Sequence, residues 1–319
     1  MRPVALLLMG PTGAGKSDLA LELVRRFPLE IVSVDSALVY RGMDIGTAKP
    51  DAATRARLPH HLIDIRDAAE SYSAGEFVRE AGRVMQDIWS RGHHPLLVGG
   101  TMLYFYALTE GIAELPEADA AVRAAIDSQA AEQGWGSLHA ELARVDPKAA
   151  ARIHLNDSQR IQRALEVYRL TGETITRLQL VRHAVLAEGG TDAPEITEIA
   201  LAPAKRSILH ARVATRLGAM MAAGFLAEVR SLYERGDLTR EHPSMRAVGY
   251  RQLWEHFAGA DSLEQATEKA LIATRQLAKR QLTWLRARAS ARWFDTAQPE
   301  CAQQVSDALA GGAFAAHSS

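Results

Sequence analysis

Eight residues near the amino terminus, Gly10–Ser17, constrain the fold more than any other feature of this chain. They follow an apolar run, Val4–Met9, and precede a segment, Lys16–Phe27, with apolar residues at helical spacing. A Gly-x-x-x-x-Gly-Lys-Ser run between a strand and a helix is a phosphate-binding loop (P-loop), in which backbone N–H groups, a lysine and a helix amino terminus face phosphate oxygens. The run predicts an α/β fold that binds a diphosphate or triphosphate group.

Each residue type in this loop has a physical role. Glycines let backbone N–H groups turn inward, the lysine supplies a mobile positive charge, and the serine hydroxyl is a ligand for Mg²⁺. We expect the phosphate to contact Gly10, Pro11, Thr12, Gly13, Ala14, Gly15, Lys16 and Ser17. Ser17 is also the predicted Mg²⁺ ligand.

The apolar pattern along the chain predicts a P-loop NTPase-like core, with a parallel sheet flanked by helices, and an inserted all-helical domain. The predicted strands are Val4–Met9, Ile31–Val34, Leu62–Ile65, Leu96–Val98 and Ile196–Ala202. The predicted helices are Lys16–Phe27, Ala74–Arg91, Ala120–Gln133, Ser137–Val145, Ser158–Thr171, Ser207–Ala223, Leu226–Arg235 and, approximately, Leu263–Arg288. We place the core in residues 1–115 and 191–319 and the insertion in 116–190, and expect the tail after Gly311 to fray.

Composition narrows the class of protein. Apolar residues make up 47% of the chain and charged residues 24%, as in ordinary globular proteins. The single cysteine, Cys301, excludes an internal disulfide and a cysteine-built zinc site, so we expect a cytoplasmic protein. No apolar run approaches the roughly twenty residues of a membrane span. Net charge is −1, yet residues 205–292 hold sixteen Lys and Arg against eight acidic residues, which allows one basic face.

Two polar segments follow predicted strands. Asp35 comes directly after Ile31–Val34, and Thr101 follows Leu96–Val98 after two glycines. Because ligands of open α/β sheets bind at the carboxyl ends of the strands, both side chains are candidates for the reaction. Asp35 could be a general base, a helix cap or a partner of the Mg²⁺ shell, and the residues alone leave these alternatives open.

Six segments together are similar to the tRNA dimethylallyltransferases, the isopentenyl-tRNA transferases of bacteria. They are Gly10–Ser17, Ser33–Ser36, Tyr40–Pro50, Gly99–Tyr104, His154–Val167 and Lys279–Arg286. The resemblance extends from about residue 4 to 295. It implies transfer of a dimethylallyl group from dimethylallyl diphosphate to N6 of the adenosine beside the anticodon, in tRNAs that read codons beginning with U.

The resemblance also implies roles for particular residues. Asp35 would remove a proton from the attacking adenine amine, and Thr101 would orient that amine. Arg216 would bind the diphosphate together with Lys16, and Arg212, one turn away on the same predicted helix, is either a second such residue or a surface arginine. The implied partners are dimethylallyl diphosphate, Mg²⁺ and the anticodon stem-loop of tRNA, and we expect a monomer without membrane contact.

The implied tRNA contacts lie in several segments. They are Asp35, Ser36, Ala37, Leu38, Thr101, Arg123, Gln159, Arg160, Ile161, Gln162, Arg163, Arg246, Ala247, Val248, Gly249, Tyr250, Arg251, Lys279, Arg280, Gln281, Leu282, Thr283, Trp284, Leu285 and Arg286.

Helical geometry supports a basic surface on the last long helix. At 100° per residue, Arg275, Lys279 and Arg286 fall on one side of this helix. Ala273, Leu277 and Trp284 fall on the other side, so we expect Trp284 to belong to the core. An exposed helix that carries charge only for solubility is the alternative interpretation.

Two other functions fit parts of the sequence. A P-loop kinase of a nucleoside or other small metabolite would use Asp35 as base and the insertion as a lid, with Arg160 and Arg163 as lid arginines. A non-catalytic RNA-binding protein would use a nucleotide only as a switch. Both alternatives predict that labelled dimethylallyl diphosphate transfers nothing to tRNA.

Overall fold

The structure, a computed structural model, describes residues 3–113, 115–180, 194–312 and 314. In these residues six strands form one parallel sheet, with the order β3-β2-β4-β1-β5-β6. The strands are β1 Val4–Met9, β2 Leu29–Val34, β3 His60–His61, β4 His94–Gly99, β5 Glu195–Ala202 and β6 Arg292–Asp295. The predicted α/β fold with a parallel sheet is confirmed.

Helices make up most of the remaining described structure. They are α1 Lys16–Arg26, α2 Ala52–Arg57, α3 Ala74–Ser90, α4 Met102–Thr109, α5 Ala120–Gln133, α6 Trp135–Val145, α7 Pro147–Arg152, α8 Ser158–Thr171, α9 Ile175–Leu178, α10 Arg206–Ala222, α11 Phe225–Glu234, α12 Tyr250–Phe257, α13 Leu263–Arg286 and α14 Cys301–Ala310. A 3₁₀ turn covers Ser244–Arg246. No helix of the described residues combines the length and the apolar character needed to cross a bilayer.

The chain divides into two compact units, Met1–Tyr106 with Gly189–Ser319, and Ala107–Glu188. The first unit contains the sheet, and its core packs β1 and β5 against α1 and α14. The second unit contains α5 to α9 around a core of its own, in which Ile126, Leu138, Leu142 and Ile161 are fully buried. The sequence predicts that the inserted domain begins near residue 116, whereas the second unit begins at Ala107. The predicted end of the insertion, at residue 190, lies outside the described residues.

The order of the strands brings distant segments to one edge of the sheet. β1 lies between β4 and β5, and β2 lies beside β4. Because all the strands are parallel, the residues that follow β1, β2 and β4 emerge at the same edge. Gly10, Asp35 and Gly100 directly follow these three strands, and this edge therefore holds the predicted site residues.

One predicted strand is wrong. Leu62–Ile65 was expected to be extended, but the strand is His60–His61, and Leu62 and Asp64 have φ angles of 62° and 58°. Left-handed backbone cannot continue a strand, so the chain turns there. The other predicted strands and helices lie within two residues of the observed ones. Seven observed elements have no predicted counterpart: α2, α4, α7, α9, α12, α14 and β6.

The apolar face of α13 also differs from the prediction. Its buried residues are Ala266, Ala270, Ala278 and Leu285, and Trp284 is 47% exposed. The buried residues of the first half, Ala266 and Ala270, lie on a different side of the helix from those of the second half, Ala278 and Leu285. One apolar stripe along the whole helix, as predicted, is therefore not what the structure has. Trp284 is therefore a surface side chain, contrary to the expectation that it belongs to the core.

The end of the chain is partly described. Phe314 is buried and stacks on Phe27, the residue directly after α1, with ring centroids 5.0 Å apart. The prediction that the chain frays after Gly311 is thus wrong at Phe314, which is packed against the core. For residues 313 and 315–319 the prediction falls outside the described residues.

Candidate functional site

The P-loop has the backbone that a phosphate cradle needs. Gly13 and Gly15 have φ angles of 78° and 87°, which side-chain-bearing residues rarely adopt, and the Ala14 N–H donates to Pro11 O at 3.1 Å. A Cβ at Gly10 would lie 2.5 Å from the carbonyl oxygen of Leu201, so only glycine fits between β1 and β5. The loop ends where α1 begins, and the helix adds its positive end to the cradle.

Lys16 folds over its own loop. Its Nζ donates to Gly10 O at 2.9 Å and to Pro11 O at 2.8 Å. Burial, helped by repulsion from Arg216 and opposed by Asp35, lowers the pKa of Lys16 to about 8. An anion in the cradle would offset both unfavourable effects, so this lysine is suited to binding phosphate.

Asp35 and Thr101 are brought together by the pairing of β2 with β4. Asp35 Oδ1 accepts from the N–H groups of Ala37 and Leu38, at 2.8 and 3.3 Å. Thr101 Oγ1 accepts from Ser36 N at 3.1 Å, and the Thr101 N–H donates to Val34 O at 3.2 Å. The threonine therefore holds the turn that carries Asp35, and both lie at the edge predicted from sequence.

Gln281 of α13 connects the P-loop to the segment after β4. The Thr12 N–H donates to Gln281 Oε1 at 2.9 Å, and Gln281 Nε2 donates to Gly100 O at 2.8 Å. A Cβ at Gly100 would lie 2.5 Å from that same Nε2, which explains the glycine. The sequence interpretation named Gln281 only as an implied tRNA contact and missed this bridge.

The two arginines of α10 have different partners. Arg216 Nη2 donates to Thr47 O at 3.1 Å, and burial lowers its pKa although Asp35 and Asp18 oppose this. Arg212 instead donates to the Oγ1 and O atoms of Thr296, at 2.9 and 2.7 Å. Arg216 is the arginine placed beside Lys16.

Glu228 of α11 is a residue that sequence reasoning missed. Its carboxylate accepts from the successive N–H groups of Asp44, Ile45 and Gly46 at 2.7 to 3.0 Å, and from the Tyr250 hydroxyl at 2.6 Å. Three successive N–H groups aimed at one carboxylate fix the conformation of the loop that ends in Thr47. No local pattern marks Glu228, because the loop that it holds lies more than 180 residues away.

Lys49 holds the other end of this loop. Its side chain is 1% exposed, and its Nζ donates to Tyr40 O, Asp44 Oδ1 and Asp64 Oδ1 at 2.5 to 2.7 Å. Arg55 also forms an ion pair with Asp64. The buried ammonium group of Lys49 therefore has both hydrogen-bond acceptors and opposite charges around it, which offsets the cost of its burial. Glu228 and Lys49 therefore fix the glycine-rich loop Tyr40–Pro50 in place. In this conformation the carbonyl of Thr47 accepts a hydrogen bond from Arg216.

Two cavities meet at the P-loop. One of about 110 Å³ is lined by Asp35, Lys16, Arg216 and Gln281. Its apolar wall consists of Leu21, Ile31, Leu38, Ile63 and Val98. A larger one of about 760 Å³ lies along the outer side of the loop and reaches Arg212 and Thr296. Lys16, Ser17, Ala48 and Arg216 line both cavities, which places the phosphate-binding groups where the two adjoin.

The candidate tRNA contacts of the inserted unit fall into two groups. Gln159 and Arg160 are exposed at the start of α8. Arg123 and Arg163 instead form ion pairs with Glu166, which is fully buried, at 2.8 and 2.6 Å. Gln162 donates to Asp127 at 2.6 Å. The pairing with Glu166 gives Arg123 and Arg163 a structural role within this unit that the sequence did not indicate.

Three side chains among the implied tRNA contacts are fully buried. Ile161, Tyr250 and Leu285 have no exposed area, and Gly249 is also buried. This corrects the sequence interpretation, because a side chain within the core cannot meet RNA at the surface. Arg246 and Arg251 are exposed, as are the four residues Lys279, Arg280, Thr283 and Arg286 of α13.

No group of three or more His, Cys, Asp or Glu side chains suited to a metal exists among the described residues. Ser17 is exposed at the first turn of α1 and lines both cavities. A P-loop binds Mg²⁺ through such a hydroxyl, water and the phosphates themselves, so this donor set fits the predicted ion.

Known proteins resemble this chain along nearly its whole length. Residues 38–288 match the family described as IPP transferase. A tRNA dimethylallyltransferase of Xanthomonas axonopodis pv. citri is 54% identical over 315 residues, which cover 97% of this chain and 94% of the relative. One of Xanthomonas campestris pv. campestris is also 54% identical, with the same shares of both chains covered.

Solved structures agree. The tRNA isopentenylpyrophosphate transferase of Bacillus halodurans has 35% identity and a TM-score of 0.69, with 97% of this chain and 96% of that chain covered. A eukaryotic dimethylallyltransferase, solved acting on tRNA, has 26% identity and a TM-score of 0.81, with 98% and 80% covered. With its P-loop, its Asp35 turn and these relatives, the chain belongs to the IPP transferase family.

Proposed function

We propose that this protein is a tRNA dimethylallyltransferase. It transfers a dimethylallyl group from dimethylallyl diphosphate to N6 of the adenosine beside the anticodon, in tRNAs that read codons beginning with U. The products are N6-(dimethylallyl)adenosine and diphosphate. The observation that carries the proposal is one cavity in which a carboxylate, Asp35, faces the same space as Lys16, Arg216 and an apolar wall.

Each part of this cavity suits one part of the reaction. The exocyclic amine of adenine is a weak nucleophile because its lone pair is delocalised into the ring, so loss of its proton during attack matters. Oδ1 of Asp35 is engaged by two backbone N–H groups, and no described residue donates to Oδ2. This second oxygen accepts the proton, while Thr101 orients the amine.

The leaving group needs positive charge. As the bond between the allylic carbon and oxygen breaks, negative charge grows on the diphosphate, and groups already positioned there stabilise it most. Lys16, Arg216 and the N–H groups of the P-loop supply this stabilisation. The exposed hydroxyl of Ser17 would hold Mg²⁺, which neutralises diphosphate charge when bound. The apolar wall takes the prenyl chain and excludes water from the reacting carbon.

The adenosine must leave its stacked position in the anticodon loop to reach this cavity. We propose that exposed residues of α13, among them Arg286, hold the unpaired loop meanwhile. Arg160, exposed on α8 of the inserted unit, is a separate proposed RNA contact. The kinase alternative is not favoured, because the relatives are named for prenyl transfer to tRNA. We further propose that the enzyme acts as a monomer in the cytoplasm.

Substitution of Asp35 by Asn tests the proposal. The amide keeps the Oδ1 acceptor of the turn and removes the base, so we expect prenyl transfer from labelled dimethylallyl diphosphate to unmodified tRNA to slow by about 10²–10⁴-fold. Binding of tRNA should persist. The exposed Asp87 of α3, changed to Asn, is the matched control and should keep full activity. No transfer by the unaltered protein, or full transfer by D35N, would refute this function.

A further inference from the structure

A third cavity, of about 360 Å³, lies outside the reactive site. Three cationic side chains line it: Arg206 at the start of α10, and Lys279 and Arg286 of α13. No acidic residue lines it, and none of the three cations pairs with an acid among the described residues. Within the part of the chain that the structure describes, the one side-chain hydrogen bond of Arg206 goes to His210, at 3.2 Å. Unpaired cations around a concave surface attract an anion.

The same cavity has an aromatic and apolar side. Trp293 of β6 lines it and is 42% exposed, and Leu209 and Leu282 lie beside it. A large exposed ring in a basic cavity offers stacking to a flat ligand, because every nucleobase has a π-face. A volume of about 360 Å³ is in the range of small-ligand sites, about 300–1,000 Å³. Phosphate and base are therefore both accommodated.

This cavity and the reactive one lie on either side of one segment of α13. Gln281 lines the reactive cavity and the next residue, Leu282, lines the basic one. Neighbouring Cα atoms are about 3.8 Å apart. Leu209 is close to the P-loop as well, since its Cδ1 lies 3.6 Å from the position of a Cβ on Gly13. Consecutive residues of α13 therefore line the two cavities, which favours neighbouring nucleotides of one RNA strand as their occupants.

We propose that the cavity of Arg206, Lys279, Arg286 and Trp293 binds one unpaired nucleotide of the RNA substrate, a neighbour of the extruded adenosine. Its phosphate lies against the three cations, and its base stacks on Trp293. The proposal rests on the proposed function, because it takes the RNA as substrate. It identifies a binding role for Arg206 and Trp293, two residues that the sequence did not single out.

The test combines protein and RNA changes. An anticodon stem-loop is made in a series of versions, each with one loop nucleotide abasic, and its affinity is measured for the unaltered protein and for Trp293→Ala. Loss of one stacked base lowers affinity by about 5- to 150-fold. We expect this loss at one position besides the reactive adenosine in the unaltered protein, and no further loss at that position in Trp293→Ala.

A second variant covers the case in which Trp293→Ala folds poorly. Arg206→Ala should reduce the slope of log Kd against log salt by about one unit, because one phosphate contact is lost. Arg25 of α1 is an exposed arginine far from these residues in sequence, and Arg25→Ala is the control for the same change in net charge. Equal slopes for Arg206→Ala and Arg25→Ala would overturn the cavity as a phosphate site.

The outcomes separate the two proposals. If the unaltered protein transfers no prenyl group to the intact stem-loop, the proposed function fails. If transfer occurs and every abasic RNA loses the same factor in Trp293→Ala as in the unaltered protein, only the nucleotide cavity is overturned.

Discussion

At the scale of single residues, Glu30 shows how a buried charge supports the site from a distance. It is the second residue of β2, and Asp35 follows the other end of that strand. Its carboxylate accepts hydrogen bonds from Arg91, His61 and His93 at 2.7 to 3.2 Å. Burial alone would raise the pKa of Glu30, but these bonds outweigh it and hold the pKa at about 2.

The sign of the pH dependence follows. Since the folded pKa of Glu30 is below its ordinary value, the stability it contributes is present above about pH 4.5 and is lost as the pH falls toward 2. We expect the difference in unfolding free energy between the unaltered protein and Glu30→Gln to shrink by about 2 kcal/mol between pH 5 and pH 3. Urea denaturation at both pH values measures it, and a constant difference would contradict the assignment.

At the scale of elements, the loop Tyr40–Pro50 is arranged around Gly46. A Cβ at this position would lie 2.0 Å from the Phe225 ring, and Glu228 binds the Gly46 N–H. The loop therefore packs closely on α11 where Gly46 has no side chain, and in this conformation the Thr47 carbonyl accepts from Arg216.

Gly46→Ala should disturb this arrangement. We expect overpacking to cost about 1–3 kcal/mol of stability and the KM for the prenyl donor to rise, because Thr47 moves away from Arg216. Gly218→Ala is the control on the helix that carries Arg216: nothing lies within 4 Å of its Cβ, and alanine should stabilise the helix by about 0.5–1 kcal/mol. Denaturation curves and donor kinetics of both variants give the answer. An unchanged donor KM in Gly46→Ala would dissociate this loop from diphosphate binding.

At the scale of the whole molecule, the two units have separate cores. Leu142 is fully buried in the core of the inserted unit. Leu23 of α1 is fully buried in the core of the unit that contains the P-loop. All residues that line the reactive cavity belong to the unit that contains the sheet.

Truncating these two leucines should have different consequences. Each Leu→Ala change should destabilise its own unit by about 2–5 kcal/mol. Leu142→Ala should leave donor binding intact and weaken RNA binding, whereas Leu23→Ala should weaken donor binding. Calorimetric unfolding and titration with dimethylallyl diphosphate distinguish the two variants. Loss of donor binding in Leu142→Ala would show that the diphosphate site depends on the inserted unit.

Much of the fold was predictable because its signals are local. Three glycines between an apolar run and a helical pattern identify Gly10–Ser17 from a short window, and the helical patterns of α5 and α8 are also local. The strand predicted at Leu62–Ile65 failed because Leu62 and Asp64 have positive φ angles, and the surroundings of Asp64 include Lys49, which lies 15 residues away. Those surroundings are not visible in a window of six residues.

The sequence by itself determined the P-loop, the carboxylate after β2, the family and the helical insertion, because each depends on residues that are neighbours along the chain. Tertiary structure decided the rest. Gln281 binds partners 269 and 181 residues away, and Glu228 holds a loop more than 180 residues away. Hydrogen bonds over such separations exist only once helices pack on the sheet, which is also what encloses the reactive cavity and the basic one.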